Sequence, residues 1–460
     1  MADTNRTAAF APHNPNRYDV VGSFLRPEAL RVARERHARG ELDDEGLRAV
    51  EDEQVRLLVE RETEAGLKVI TDGEFRRSTW HLDFIWAFEG IGHCPTRDGI
   101  PFHDEPALID DTYLTGPLSL EGEHPFVDHW RFGDALAAHD QVAKLTVPAP
   151  AQFLEQLVFP ANRESTGRVY KSEDALVDAV AACYGQFVEQ VYAAGCRNLQ
   201  FDDCSWGCLV DPNASLIFGV GEEGLAHLRE LLLRVNNRVL DARPDDLVVN
   251  THVCRGNFHS TWACQGGYEG VADALLAREH VGAFFLEFDD ERSGGFEPLD
   301  AVPGDKCVVL GLVTTKRPEL EDEDALVTRI HEAARHVPLE RLCLSPQCGF
   351  ASCECGNKLT EEEQWAKVAL VRWTGALLAR RDDGVVDLGA RQRELLGQAL
   401  GERGLGLAGG QAPRDGLLDR GEAARGGAAA TALLELLGRR GGHDHDALAA
   451  HLVAGRDGLG

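Results

Sequence analysis

The sequence predicts an α/β fold, a (β/α)8 barrel. Two observations lead there: eight short apolar runs rich in β-branched residues, and helical patterns in the gaps between them. A third supports the parallel arrangement. The runs are apolar throughout rather than alternating, as strands covered on both faces must be.

The first run, Tyr18–Ser23, follows an N-terminal extension of residues 1–17. A helical pattern over Glu45–Ala65 stops at Gly66, a residue suited to closing a helix, and leads to Lys68–Asp72. The stretch Trp86–Asp140 (residues 86–140) is too long for a simple crossover and is rich in Gly, Pro, His and Asp. It reads either as an insertion, a hairpin or lid over the barrel mouth, or as a surface excursion without a role. Lys144–Pro148 is the third run. A helix over Ser172–Ala194, ended by Gly195, leads to Asn198–Asp202. Gly224–Ala242, followed by Pro244, leads to Leu247–His252, and Tyr268–Glu279 leads to Ala283–Glu287. Cys307–Leu312, a helix over Asp322–His336 and Leu342–Ser345 complete the set. A doubly wound open sheet is the runner-up. No Gly-rich fingerprint lies between the first strand and helix to support a dinucleotide fold.

The barrel is therefore placed at residues 18–375. Residues 376–460 are a Gly/Ala/Leu/Arg-rich tail. After Trp373 the chain contains no aromatic residue and no Lys, Ile, Ser or Asn. With so little bulky surface to offset chain entropy, the tail is expected to be poorly ordered. Its composition is what a shifted reading frame of a GC-rich gene would produce.

Composition excludes some partners. Of 460 residues, 47 are Lys or Arg and 76 are Asp or Glu, a formal net charge of -29. That balance argues against nucleic acid and anionic membrane, both of which require basic patches. No stretch approaches the roughly 18 apolar residues of a membrane span, and the N-terminus lacks the apolar core of a signal peptide. A cytoplasmic location is expected. The 12 cysteines should then stay reduced, as metal ligands, nucleophiles or small core residues.

In such a barrel the site lies at the C-terminal ends of the strands. The polar residues there are Ser23, Asp72, Glu74, Asp202, Asp203, His252, Cys254, Glu287 and Cys348. His252 and Cys254 are alternate residues of an extended segment, so both side chains can face one metal. Glu287 ends the sixth run, and Cys348 follows the eighth in LSPQCG. One imidazole, two thiolates and one carboxylate suit tetrahedral zinc. A structural zinc would use closely spaced ligand pairs; ligands spread over half a barrel favour a catalytic one. Zinc with anionic ligands binds a thiol well and deprotonates it, which makes a nucleophile of it. Glu74 and Asp202 could hold a substrate ammonium group or merely cap helices and pair with cations. Ser23 could donate a hydrogen bond to a carboxylate. The pairs Cys204/Cys208 and Cys353/Cys355 read as incidental thiols or, less simply, as alternative metal ligands.

Several longer motifs carry a family resemblance: VGSFLRP, ITDGEFRR, LQFDDCSW, HVCRGNF, FLEFDDERSG, VLGLVTTKRPELE and LCLSPQCGF, in that order from about Tyr18 to Val371. They resemble the short, single-domain relatives of cobalamin-independent methionine synthase. The resemblance implies a barrel of the type shared with uroporphyrinogen decarboxylase, a zinc cofactor, and methyl transfer to the sulfur of homocysteine. It implies His252, Cys254, Glu287 and Cys348 as zinc ligands, and Ser23, Glu74 and Asp202 as the residues that hold the amino acid. Full-length relatives carry a proton-donating histidine after the seventh strand. Here the matching stretch is Thr314–Pro318, so Lys316 takes that place as the catalytic candidate. With no second barrel to hold a polyglutamyl folate, the methyl donor is either methylfolate or a methyl-corrinoid. Alkylation of another thiol, such as coenzyme M with an epoxide, is the enzymatic alternative. A zinc- or redox-sensing protein using Cys343–Cys355 is the non-enzymatic one. A porphyrinogen decarboxylase on the same barrel would not need the thiolate-rich site.

Overall fold

The computed structural model describes residues 17–96 and 98–380. The extension up to residue 16 and the tail from residue 381 onward lie outside the described residues.

Among the described residues ten strands occur, in chain order: β1 (Val69–Ile70), β2 (Glu89–Cys94), β3 (Asp111–Ser119), β4 (Val142–Ala143), β5 (Leu145–Pro148), β6 (Asn198–Asp202), β7 (Val248–Val253), β8 (Ala283–Glu287), β9 (Cys307–Val313) and β10 (Leu342–Pro346). Six form one parallel sheet in the order β10-β9-β8-β7-β6-β5. β4 runs into β5 and pairs in parallel with β1. The segment from Tyr18 closes the ring. Tyr18 bridges Leu344 of β10, and the Phe24 N–H donates to the Gly73 carbonyl just past β1. The result is the α/β barrel that the apolar runs predicted.

The first expected strand, Tyr18–Ser23, is reduced to one parallel bridge with β10: the Asp19 N–H donates to the Leu344 carbonyl and the Leu344 N–H to the Arg17 carbonyl, both at 3.0 Å. Beyond it, the carbonyls of residues 20–22 are taken by side chains from inside the barrel. Lys144 Nζ donates to Val20, Gln200 Nε2 to Val21 at 2.9 Å, and Thr71 Oγ1 to Gly22 at 2.7 Å. The helix Glu28–Ala38 was not expected; the first expected helix, Glu45–Ala65, holds its boundaries within a residue, at Asp44–Glu64. Its N-cap, Asp43, accepts a hydrogen bond from the Gly46 N–H. Ser172 and Asp322 cap Glu173–Ala193 and Glu323–Ala333 in the same way. The helix expected over Tyr268–Glu279 shrinks to Leu275–Arg278. The Tyr268 hydroxyl accepts from the Glu287 N–H at 2.9 Å and lies 3.2 Å from the Val253 carbonyl, so this stretch is spent joining β7 to β8.

The stretch between β1 and β4 is a hairpin of β2 and β3 followed by the helix Pro125–Leu136. Its tip docks on the loop after β7. The His103 N–H donates to the Trp262 carbonyl at 2.7 Å, and Glu105 pairs with His259 at 2.7 Å. A core of rings packs between sheet and helices, with Phe84, Phe153, Phe187 and Phe201 fully buried. Each such side chain contributes roughly 1.5–3 kcal/mol of burial free energy. No described helix is long and apolar enough to cross a membrane.

Candidate metal and substrate site

Parallel pairing sets the site's geometry. Asp202 of β6 stands opposite His252 of β7. Both strands end here, so both side chains point into one cavity of about 170 Å³. Cys254, two residues beyond His252, lies on the same face. Cys348 arrives from the turn after β10. That turn is fixed by three contacts to neighbouring elements: Gln347 N–H to the Val313 carbonyl (2.8 Å), Phe350 N–H to the Ser23 carbonyl (2.9 Å), and Asn257 Nδ2 to the Gly349 carbonyl (2.8 Å). Only glycine fits at 349, because a Cβ there would stand 1.9 Å from Ser23 Oγ.

The donor atoms of His252, Cys254 and Cys348 lie within 4.8 Å of one another, and all three residues are buried. His252 Nε2 is 3.3 Å from Cys348 Sγ, while His252 Nδ1 is buried without a hydrogen-bond partner. Hydrogen bonds from the Cys204 and Cys348 thiols hold the Cys254 thiol well below its ordinary pKa, against the effect of burial, and His252 adds to this. One imidazole, a ready thiolate and a second thiol, with an unpartnered ring nitrogen beside them, fit a soft divalent metal such as zinc.

Glu287 stands outside this group of three. Its Oε2 accepts the Arg255 N–H at 2.6 Å, and its Oε1 pairs with Arg292 at 2.8 Å and Lys316 at 3.4 Å. Burial alone would raise its pKa, but Lys316, Arg292 and Arg255 together hold it below the usual carboxylate range. Lys316 likewise contacts Asp289, at 3.7 Å. Burial opposes its charge, yet Asp289 and Glu287 prevail and raise its pKa. It is absent from the cavity lining among the described residues.

On the opposite wall, Glu74 adopts φ of 60°, a left-handed conformation that costs a non-glycine residue of order 1 kcal/mol. Its Oε1 accepts from Thr146 Oγ1 at 2.8 Å and lies 3.4 Å from Arg77. Its Oε2 is buried without a partner. Burial raises its pKa against the pull of Arg77 and Arg26. Asp202 accepts from Gln200 Nε2 at 2.7 Å, and burial pushes its carboxyl up to about 7, with His252 opposing and Glu74 reinforcing the rise. Glu74, with one oxygen unpartnered, and Asp202 are two buried carboxylates lining the same cavity, and together they favour an incoming cation. Ser23 Oγ accepts the Ala351 N–H at 3.2 Å and keeps its own proton free to donate into the cavity.

Three participants were not anticipated: Thr146, Arg77 and Arg292. Thr146 reaches Glu74 from another strand, 72 residues away, while Arg77 and Arg292 follow Glu74 and Glu287 by only three and five residues. Cys204 carried a readable signal. It follows Asp202 at the same alternate spacing by which Cys254 follows His252, and its Sγ lies 3.1 Å from Cys254 Sγ.

A larger cavity of about 540 Å³ adjoins the first and shares with it Ile100, Phe102 and Ile109 of the inserted segment. The inserted segment therefore lines both cavities.

The model of the cobalamin-independent synthase catalytic domain matches residues 164–369. The chain is 41% identical over 356 residues to the uncharacterized protein YxjH of Bacillus subtilis (strain 168), covering 77% of this chain and 92% of that one. A crystal structure of the putative vitamin-B12 independent methionine synthase from Listeria monocytogenes superposes with a TM-score of 0.62 at 31% identity, over 79% of this chain and 98% of that one. A B12-independent methionine synthase from Shewanella sp. W3-18-1, in complex with selenomethionine, shares the fold at 16% identity, with a TM-score of 0.58 over 80% of this chain and 98% of that one.

Proposed function

The chain belongs to the cobalamin-independent methionine synthase family and is a methyltransferase; from that premise we propose that it methylates the sulfur of homocysteine, giving methionine, with the help of zinc. One observation carries the reading: a buried His252, Cys254 and Cys348 donor set shares a single cavity with two buried carboxylates, Glu74 and Asp202.

In this reading His252, Cys254 and Cys348 hold the metal, with Glu287 beside them as the fourth donor. Zinc bound there keeps a thiol substrate deprotonated near neutral pH. The free Oε2 of Glu74 and the carboxylate of Asp202 accept hydrogen bonds from the substrate ammonium group. The Ser23 hydroxyl donates to the substrate carboxylate. These three contacts fix the amino acid by both of its charged ends, which orients its sulfur toward the metal donors. The methyl donor, a methylfolate or a methyl-corrinoid, reaches the sulfur from the larger cavity under the inserted hairpin. Lys316 serves as a counter-charge to Glu287 and Asp289 rather than as a proton donor. Its raised pKa makes proton loss harder.

The test combines metal analysis with methyl transfer. Wild type should contain stoichiometric zinc and form methionine from homocysteine with methylfolate or methylcobalamin. Cys348→Ala should lose both together. Full activity in Cys348→Ala overturns the reading. Activity on coenzyme M or small thiols but not homocysteine would keep the metal site and replace the acceptor.

A further inference from the structure

We propose that Cys204 and Cys254 form a reversible disulfide, a modification site that takes one metal donor out of service when the protein meets a peroxide.

The geometry is built in. Asp202 pairs with His252 across β6 and β7, and the Asp203 N–H extends the ladder to the His252 carbonyl at 2.8 Å. Cys204 and Cys254 each lie two residues beyond that paired position, on the same face. Both residues lie just past the ends of their strands, and Cys204 is already turning into the short helix Ser205–Val210. The sulfurs are already 3.1 Å apart and need to close by about 1 Å to reach bonding distance. Gly207 holds the arrangement. It seats the short helix Ser205–Val210 directly on the Cys254 backbone, where a Cβ would stand 2.2 Å from the Cys254 carbonyl oxygen. On the other side, the Cys204 N–H donates to Gln152 Oε1 at 2.9 Å. Both cysteines line the site cavity, so a small oxidant reaches them by the substrate's route.

The chemistry balances with hydrogen peroxide as oxidant. The Cys254 thiolate attacks one peroxide oxygen; an S–O bond forms, the O–O bond breaks, and the departing hydroxide takes up the proton that the Cys254 thiol shed to solvent, becoming water. The Cys204 thiol then attacks the sulfenic sulfur; the S–S bond forms, the S–O bond breaks and the oxygen departs as water. Two thiols lose two electrons, and one peroxide becomes two waters. A disulfide sulfur is no longer a thiolate ligand, so the remaining donors hold the metal poorly. Release of metal rests on the function proposed above; the cross-link itself does not.

The experiment treats the full-length protein, zinc-loaded and metal-free, with hydrogen peroxide. Zinc release is followed with a chromogenic chelator, and disulfides are mapped by non-reducing peptide mass spectrometry. In both forms the expected product joins the Cys204 and Cys254 peptides and is reversed by dithiothreitol. In the loaded form one zinc leaves per cross-link. Cys204→Ser, whose hydroxyl can still donate to Cys254, is loaded with zinc to saturation before oxidation, whatever its affinity; it should then lose the cross-link and the fast phase of zinc release, with Cys254 passing to the sulfinic acid. A cross-link from Cys254 to Cys348 overturns the proposal. So does oxidation confined to Cys208–Cys264 (3.6 Å apart) or Cys353–Cys355 (3.1 Å apart), or unchanged zinc release in Cys204→Ser. A protein that forms the Cys204–Cys254 bond yet binds no zinc before oxidation upholds the modification site and sinks the metal reading instead.

Discussion

The Lys316 ammonium lies 3.4 Å from Glu287 Oε1, with the lysine 8% and the glutamate 0% exposed at the side chain. Arg292 approaches the same oxygen at 2.8 Å. Glu287 is thus a carboxylate clamped between cations beside the metal donors. Lys316→Gln removes one clamp and leaves a buried charge less compensated. The expected loss is about 1–3 kcal/mol of stability, read as a lower urea midpoint. The alkaline side of the kcat–pH profile should keep its shape. Loss of a descending limb in the variant would make Lys316 a proton donor after all.

Glu74 holds its place by a hydrogen bond from Thr146 and by the strained φ of 60°. Glu74→Gln keeps the size and removes the charge that faces the proposed ammonium group. A charge-assisted hydrogen bond is worth roughly 1.5–3 kcal/mol, so kcat/KM for homocysteine should fall about 10- to 150-fold. Zinc content should not change. A variant that loses zinc along with affinity would assign Glu74 to the metal rather than to the amino acid.

Asp202 makes a pH prediction. Its carboxyl is raised to about 7 in the folded chain by burial, from roughly 3.9 unfolded. A raised pKa means that the folded state binds the proton more tightly. The associated stability is therefore complete below about pH 4 and disappears as pH rises through about 7. Ammonium binding needs the ionised form, so KM for homocysteine should fall over the same rise. Asp202→Asn should flatten the KM profile and remove part of the stability slope; Glu155, raised to about 8 by burial, keeps the rest. An unchanged KM profile in Asp202→Asn would separate Asp202 from the substrate.

Gly349→Ala tests the turn that delivers Cys348. Its Cβ would meet Ser23 Oγ at 1.9 Å and the Ser23 Cβ and N at 3.0 Å; swinging the hydroxyl away breaks the Ala351 hydrogen bond, and shifting the turn breaks the Phe350 bond to the Ser23 carbonyl. Overpacking of this kind costs about 1–3 kcal/mol. The expected result is weaker zinc retention against a chelator together with a lower thermal midpoint. A variant with wild-type zinc affinity would show that Cys348 is placed independently of Ser23.

The barrel was readable because parallel strands covered on both faces leave a continuous apolar record, as Ala283–Glu287 and Cys307–Val313 do. Its first segment was read as a strand and makes only a single parallel bridge, from Tyr18 to Leu344 of β10. Tyr18–Ser23 has strand-like residues, but Lys144, Gln200 and Thr71 reach its carbonyls only once the barrel has closed. The expected helix from Tyr268 fails for a similar reason. Local pattern favours it, and a long-range role for the tyrosine hydroxyl at β8 overrides it.

The donor residues were likewise present in the sequence as residue types at strand ends: His252 and Cys254 by their alternate spacing, Cys348 by its turn, Glu74 and Asp202 by position. Type and spacing are local properties, and one dimension records them. Which donors meet is not local. Only the closed barrel sets Cys348 within reach of His252 across 96 residues, turns Glu287 toward Arg292 and Lys316, and brings Cys204 to 3.1 Å from Cys254. Those distances follow from strand register and from glycines at 207 and 349 that admit close approach, and register and close approach exist only in three dimensions.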